Sequence, residues 1–170
     1  MWKAVPEGYT MNHGAEYCEV NSFGRMNTFK APPSTSYTVT IRQIGLGSAL
    51  QLGFCDESFV IPASRMVQTQ KGCSLVYFGC GDDTQKKSVA HDPVRKLNWV
   101  GGQSTGAGWQ VDANDVLTIK NEKGKTSIYK DGNHVTTIQH ALFNKACPCV
   151  SIQGSITVRL SHTKMTMIKP

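Results

Sequence analysis

Long apolar runs are missing from this chain of 170 residues. A membrane-spanning helix needs about 20 consecutive apolar residues, and no stretch approaches that. The N-terminus lacks the apolar core of a signal peptide, and no N-x-S/T glycosylation acceptor occurs anywhere. These absences set the expectation of a protein without a membrane anchor, at work inside the cell in cytoplasm or nucleus. Cysteine is scarce: six residues, at 18, 55, 73, 80, 147 and 149, are too few and too scattered for a disulfide-built domain. Several lie in apolar runs, where a free thiol behaves as a small hydrophobe, so reduced thiols are expected. Charge is dilute as well. The net +6 comes from basic residues spread along the chain, with no run longer than Lys86-Lys87 or Arg95-Lys96. Spread in this way, it reads as solvated strand edges and turns rather than as a nucleic-acid footprint.

The common signatures of catalysis and metal binding are absent too. Structural zinc uses cysteine pairs separated by two to four residues, and none exists here. Cys147-x-Cys149 and Cys73-x6-Cys80 could converge with His140 or His91, but alternate residues on a strand project the same way and read as core. No G-x-S-x-G elbow is present. Gly45-x-Gly47-x-x-Leu50 lacks the third glycine of a dinucleotide fingerprint and opens no helix. The acidic pairs Asp56-Glu57 and Asp82-Asp83 stand beside turn signals, where aspartate bonds its own backbone. One adjacent pair also falls short of the six or more oxygens of a calcium site. The histidines at 13, 91, 134, 140 and 162 fall mostly in loops or turns, where the ring is solvated. The expectation is no enzyme, no metal and no cofactor.

What the chain does have is strands and turns. With 16 Gly and 7 Pro and no convincing long helix, the composition suits a turn-rich β protein. Tyr37, Val39 and Ile41 alternate with Thr38, Thr40 and Arg42, and Ile156, Val158 and Leu160 alternate with Thr157, Arg159 and Ser161. Val116–Ile119 and Ile128-Tyr129 are broken by Asn121-Glu122-Lys123-Gly124 and by Lys130-Asp131-Gly132-Asn133. Asp-Gly between apolar runs signals a type I′ hairpin, because that turn needs positive φ. Further strands are expected at 15–20, 49–54, 74–78 and 149–152, with an edge strand within 163–168. Residues 1–14 read as an irregular arm and 25–36 as a loop, since Pro32-Pro33 excludes a central strand. The long connections 55–72 and 79–98 are polar, and Gly101–Gly108 reads as a flexible loop between Trp99 and Trp109. Those two tryptophans could be core or surface anchors. The fold expected is all-β: one domain over 1–170, an antiparallel two-sheet sandwich burying Val39, Ile41, Leu52, Leu117, Ile119, Val150, Ile156 and Val158.

A family resemblance runs through the same stretches. Gly108-Trp109-Gln110, Asp115-Val116-Leu117, Gly124 and Ile128-Tyr129-Lys130-Asp131-Gly132 resemble the SPRY-domain run, in which a Gly-Asp-Val element leads to a hairpin ending in asparagine-glycine. Cys147-Pro148-Cys149-Val150-Ser151 resembles the family's tyrosine-proline-alanine-valine-serine strand, and Leu50–Phe54 its valine-Gly-phenylalanine/tryptophan strand. Tyr77-Phe78-Gly79-Cys80-Gly81-Asp82-Asp83 is similar to the tyrosine turn of Ran-binding-protein-M-type members. These pieces keep the family's order from about residue 37 to 160. The departures are Asn114 for a glycine, Asp131 for an asparagine and Cys147 for a tyrosine.

The resemblance implies a SPRY, concanavalin-like sandwich that recognises a protein or peptide partner through a loop-built surface, as one scaffold module of a larger intracellular protein. Carried over residue by residue, that surface takes in Arg65, Tyr77, Gly79, Asp82, Asp83, Gln153 and Gly154. In SOCS-box-type members a tryptophan stands where this chain has Gln153, so their asparagine-containing motif does not transfer. The competing expectation is a nucleic-acid-binding accessory module of an RNA-processing assembly, prompted by the net charge and the lysines of the 120–130 hairpin. It lacks the adjacent aromatic stacking positions that such binders use. A lectin-like carbohydrate site would need Asp, Asn and aromatic residues gathered on one concave face.

Overall fold

The computed structural model describes residues 11–13, 17–21, 27–45, 48–60, 72–79, 88–92, 97–98, 111–161 and 166–167. Among them there is no helix. One sheet contains β1 (Met11–His13), β2 (Tyr17–Asn21), β4 (Ser36–Ile44), β9 (Val116–Glu122), β10 (Lys125–Lys130), β11 (Asn133–Gln139) and β13 (Ile156–Ser161), in the order β1-β2-β13-β4-β9-β10-β11. The other contains β3 (Asn27–Lys30), β5 (Ala49–Asp56), β6 (Cys73–Gly79), β7 (Ser88–Asp92), β8 (Leu97–Asn98), β12 (Ala146–Gln153) and β14 (Thr166–Met167), in the order β14-β3-β12-β5-β6-β7-β8. Every pairing is antiparallel. The architecture is the all-β, two-sheet sandwich that alternation implied.

The core lies between the sheets. Tyr37, Val39, Ile41, Leu117, Ile119, Ile128, Ile156, Val158 and Leu160 meet Phe29, Leu50, Leu52, Phe54, Val76, Phe78, Val150 and Ile152 in one apolar cluster. All eight residues named from the sequence as core are in it, each fully buried. Both hairpin turns of the β9–β10–β11 meander have two residues at positive φ, Lys123 (47°) with Gly124 (76°) and Asp131 (49°) with Gly132 (85°), the type I′ signature. Asp131 also accepts the Val116 N–H through Oδ1 at 3.1 Å, which returns the turn to β9.

Three expectations about strands need correcting. Within the connection expected over 79–98, Ser88–Asp92 forms β7 against β6 and Leu97–Asn98 forms β8 against β7. Asn27–Lys30 was expected within a loop, yet it is β3, an internal strand between β14 and β12. Pro32-Pro33 lie beyond the four residues that pair and remove no donor from them, Ala31 N–H still reaches the Pro148 carbonyl at 3.0 Å, and Phe29 supplies an inward anchor. Within the arm expected over 1–14, Met11–His13 forms β1, pairing only with β2, and an outermost strand needs a partner on one side alone.

The two sheets are joined by a directional contact. Tyr37 projects from the first sheet and its hydroxyl accepts the Gly53 N–H at 2.9 Å. The same oxygen lies 2.9 Å from the Gly53 carbonyl and 3.1 Å from that of Cys149, and donates into that pair. Gly53 and Cys149 are register partners on β5 and β12, so one phenol ties both strands. Burial pushes the Tyr37 hydroxyl well above its usual pKa, with the neighbouring Cys149 adding to it, so it remains a donor. A Cβ on Gly53 would sit 2.1 Å from the Ser74 carbonyl oxygen, inside the backbone of β6. Tyr37→Phe should keep the fold and cost about 1–3 kcal/mol by orphaning buried backbone groups, measured by urea unfolding. Gly53→Ala should not yield a folded protein, judged by near-UV circular dichroism.

At the exit of β5, Asp56 closes the link to the segment before β12. Its carboxylate accepts the Ser58 hydroxyl and N–H on Oδ2, and the Asn144 N–H at 2.8 Å on Oδ1. These bonds, that of the Ser58 hydroxyl first, hold Asp56 below the ordinary carboxylate pKa. A depressed folded-state pKa stabilises above the unfolded value of about 3.9, and the gain is lost as pH falls through the lower folded value. The melting-temperature gap between wild type and Asp56→Asn should therefore be widest above about pH 4 and close as pH drops below it, in a scan by differential scanning fluorimetry.

Candidate partner-binding surface

Three strands of the second sheet bring the described members of the surface together. Gln153 at the end of β12 pairs with Ala49 at the start of β5, and Ala49 pairs with Gly79 at the end of β6. Gln153 and Gly79 thus share one end of the sheet, two strand spacings or about 9–10 Å apart. Gln153 is exposed, and Gly154 follows at φ 84°, which turns the chain straight into β13. That turn is held to the neighbouring loop: Ser48 Oγ donates to Ser155 O at 2.9 Å, and Ser155 N–H donates back to Ser48 Oγ at 3.0 Å. Tyr77 lies two pairs further in, opposite Gln51 on β5 and Val89 on β7. Arg65, Asp82 and Asp83 fall outside the described residues, as do Trp99 and Trp109.

On the described parts of β5, β6 and β12 the face turned away from the core is also buried, unlike the outer face of β4 and β9 in the first sheet. Along β5 every residue from Ala49 to Cys55 is buried, so the strand is covered on both sides. Cys147, Cys55 and Cys73 stand side by side on β12, β5 and β6, and Cys149 lies on the same face. With Leu75 and Phe59 they form a second apolar cluster. Cysteines at 55, 73, 147 and 149 are all free thiols. The bond from Cys149 and then burial push Cys55 far up. Burial pushes Cys147 up to about 11. For Cys149, the bond to Cys55 pulls down, but the bond to Cys73 and burial outweigh it and the pKa rises. These groups hold their protons. Cys147 and Cys73, on either side of Cys55, stand about 9–10 Å from each other along the sheet, too far apart to share one tetrahedral ion whose bonds to sulfur are about 2.3 Å. Among the described residues no group of three or more His, Cys, Asp or Glu is placed to hold a metal ion. His140 is elsewhere: it follows β11 of the first sheet, and its N–H donates to the Gly124 carbonyl in the β9–β10 turn at 2.8 Å.

His140 is the residue that sequence reasoning misplaced. A loop histidine was expected to be solvated, but it is only 9% exposed. Nδ1 donates to the Ala141 carbonyl at 2.9 Å, Nε2 lies 2.8 Å from Thr126 Oγ1, and the ring stacks on Phe143. His134, by contrast, is exposed, with Nε2 2.8 Å from Thr137 Oγ1 and its ring edge-on to Tyr129.

No family model and no curated protein sequence matches the chain. Solved structures do. The SPRY domain of human HERC1 superposes with a TM-score of 0.51 at 10% identity, covering 95% of this chain and 92% of that one. A human SPRY domain gives 0.50 at 14% identity, covering 91% and 97%. A Bacillus subtilis protein of unknown function with a galectin-like fold gives 0.51 at 8% identity, covering 96% and 88%. The chain has a divergent SPRY-like fold.

Two departures from the SPRY-like pattern become intelligible in the backbone. Asn114, in place of a glycine, sits at φ 73°, and Asp131, in place of an asparagine, at φ 49°. Asn and Asp are the residues after glycine that best tolerate this region, so the turn geometry is kept while the residue changes. The third departure, Cys147, belongs to the thiol cluster. Because the thiols are buried and protonated, Cys55, Cys147 and Cys149 should resist iodoacetamide in the native protein at pH 7.5 and react fully in guanidinium, read by peptide mass spectrometry. Rapid native labelling of Cys55 or Cys149 would show that the outer face is open to solvent.

Proposed function

We propose that this SPRY-like domain is a non-enzymatic recognition module that binds a protein or peptide segment at the end of the second sheet. The surface combines Gly79, Gln153 and Gly154 with Tyr77 beneath them, and with Arg65, Asp82 and Asp83 from the connecting loops. The observation that carries this reading is the shared register of Gln153, Ala49 and Gly79, which gathers residues far apart in sequence at one sheet end. The strands there are locked by the Tyr37 contact and by buried packing on both faces, so the surface is preformed and loses little ordering entropy on binding. A SPRY-like and a galectin-like structure fit the chain equally well, so architecture alone does not choose the ligand. Against the nucleic-acid alternative, two of the four lysines of the 120–130 hairpin are engaged within the domain: Lys120 lies over the Tyr129 ring and Lys130 pairs with Asp115 at 3.2 Å, while Lys123 and Lys125 are exposed.

The test uses peptides selected from a random phage-displayed library on the wild-type protein. Arg65→Glu combined with Gln153→Ala should fold normally and weaken the selected peptides at least tenfold by isothermal titration; unchanged affinity places the binding surface elsewhere. Raising salt from about 50 to about 200 mM should cost these peptides less than tenfold, whereas a footprint of 6–10 phosphates would lose roughly 10³–10⁵.

A further inference from the structure

Among the described residues, the strands that end the two sheets are unequal. β1 has three residues and β8 and β14 two each, whereas β11 runs for seven. Short edge strands, charged side chains and proline guard an edge against pairing with another chain. β11 has none of these: Asn133–Gln139 contains no Asp, Glu, Lys, Arg or Pro, and Val135, Thr136, Thr137 and Ile138 are all β-branched. Its one irregularity, at Val135, leaves Thr136–Gln139 in regular register with β10. The free side of the strand follows from one bond. His140 N–H donates to the Gly124 carbonyl at 2.8 Å. Opposed pairs on an antiparallel ladder alternate between bonded and non-bonded, so Thr126–Ile138 and Ile128–Thr136 are bonded, while Lys125–Gln139 and Ser127–Thr137 are not. Thr137 and Gln139 therefore turn their N–H and C=O away from β10. Both residues are exposed, and no described strand pairs with that side.

We propose that β11 is an interface with a second copy of this chain, paired antiparallel about a two-fold axis so that the first sheets of two copies become one continuous sheet. Charge at the two ends of the strand selects that occupant. Beyond Asn133 the exposed turn residue is Asp131, and Lys130 beside it is engaged by Asp115 at 3.2 Å. At the other end Lys125 is the register partner of Gln139, and exposed Lys123 and Lys125 outnumber Glu122. One end is acidic and the other basic. An antiparallel copy sets each acidic end against the basic end of its partner, and the two-fold axis does so twice. Between the ends no like charges are opposed, and β-branched side chains meet across the new pair. Leu142, 76% exposed, adds apolar surface at the Gln139 end, where it sits against the β9–β10 turn, 3.5 Å from the place a Cβ on Gly124 would take. The edge belongs to the first sheet and does not depend on the surface at the Gln153 end of the second.

Sedimentation velocity from about 5 to about 500 μM should show wild type passing from monomer to dimer, with a Kd on the order of 10–100 μM for so small an interface. Thr137→Pro removes an outward N–H without touching the β10 ladder, so it should fold and weaken the dimer at least about tenfold. Thr137→Lys, which places a charge on the edge, makes the same test if the proline variant fails to fold. Lys123→Glu with Lys125→Glu opposes acid to acid at both ends and should weaken the dimer at least about fivefold at low salt. In hydrogen exchange read by NMR, the Thr137 and Gln139 amides should be slower in concentrated than in dilute protein. A wild type still monomeric at the highest concentration overturns the proposal and leaves the edge to a strand of another protein. A dimer that both Thr137 variants leave intact is built on a different surface and overturns it as well. A dimer broken at Thr137 but indifferent to the two glutamates overturns the antiparallel alignment.

Discussion

One phenol hydroxyl sets the relation between the two sheets. Apolar side chains meeting across a sandwich attract without direction, and by themselves allow the sheets to slide or rotate by small amounts. Tyr37 removes that freedom, because its oxygen must satisfy Gly53 and Cys149 together. Gly53 is constrained from the other side too, since Ser74 O of β6 occupies the space a Cβ would take. The effect of the phenol extends along the strands it touches. Gly53 is four residues from Ala49 on β5, and Cys149 four from Gln153 on β12, so the end that carries the candidate surface is positioned through unbroken ladders from this point.

The sandwich itself was largely legible from residue order, because its signals are local. Alternation over Tyr37–Ile41 and Ile156–Leu160 reported one buried face, and Asp131-Gly132 reported a turn that glycine makes accessible. β3 was not legible. Four residues followed by two prolines hold no periodicity, and what makes them a strand is β12, more than a hundred residues away. His140 was hidden for a related reason: Phe143 and Thr126 bury it, and neither contact follows from its position after a strand. The gathering of Cys55, Cys73, Cys147 and Cys149 likewise depends on the order β12-β5-β6, which no local pattern encodes.

The candidate surface was legible only through resemblance, and only its strand-borne part has a described position. Gln153, Gly154 and Gly79 are brought to one end by register, a relation that spacing in sequence could not supply. Gln51 stands in a strand where a single glutamine resembles an outward polar residue in an alternating pattern, yet it is buried. The difference lies in the second sheet's outer face. The first sheet turns Thr38, Thr40 and Lys120 toward solvent, whereas β5 is covered on both sides. An amide that is unremarkable on the first becomes an orphan on the second.

The two consecutive two-residue turns carry a kinetic consequence. β9, β10 and β11 pair with their sequence neighbours through closures of a few residues, and such hairpins form in about 1–10 μs. The second sheet must instead bring Thr28 to Ser151, 123 positions apart, before β12 gains its outer neighbour. Contact order therefore separates a fast meander from the pairings in both sheets that close over more than a hundred residues. Until β12 finds β3 and β5, its run of apolar residues and thiols should stay exposed in the folding chain.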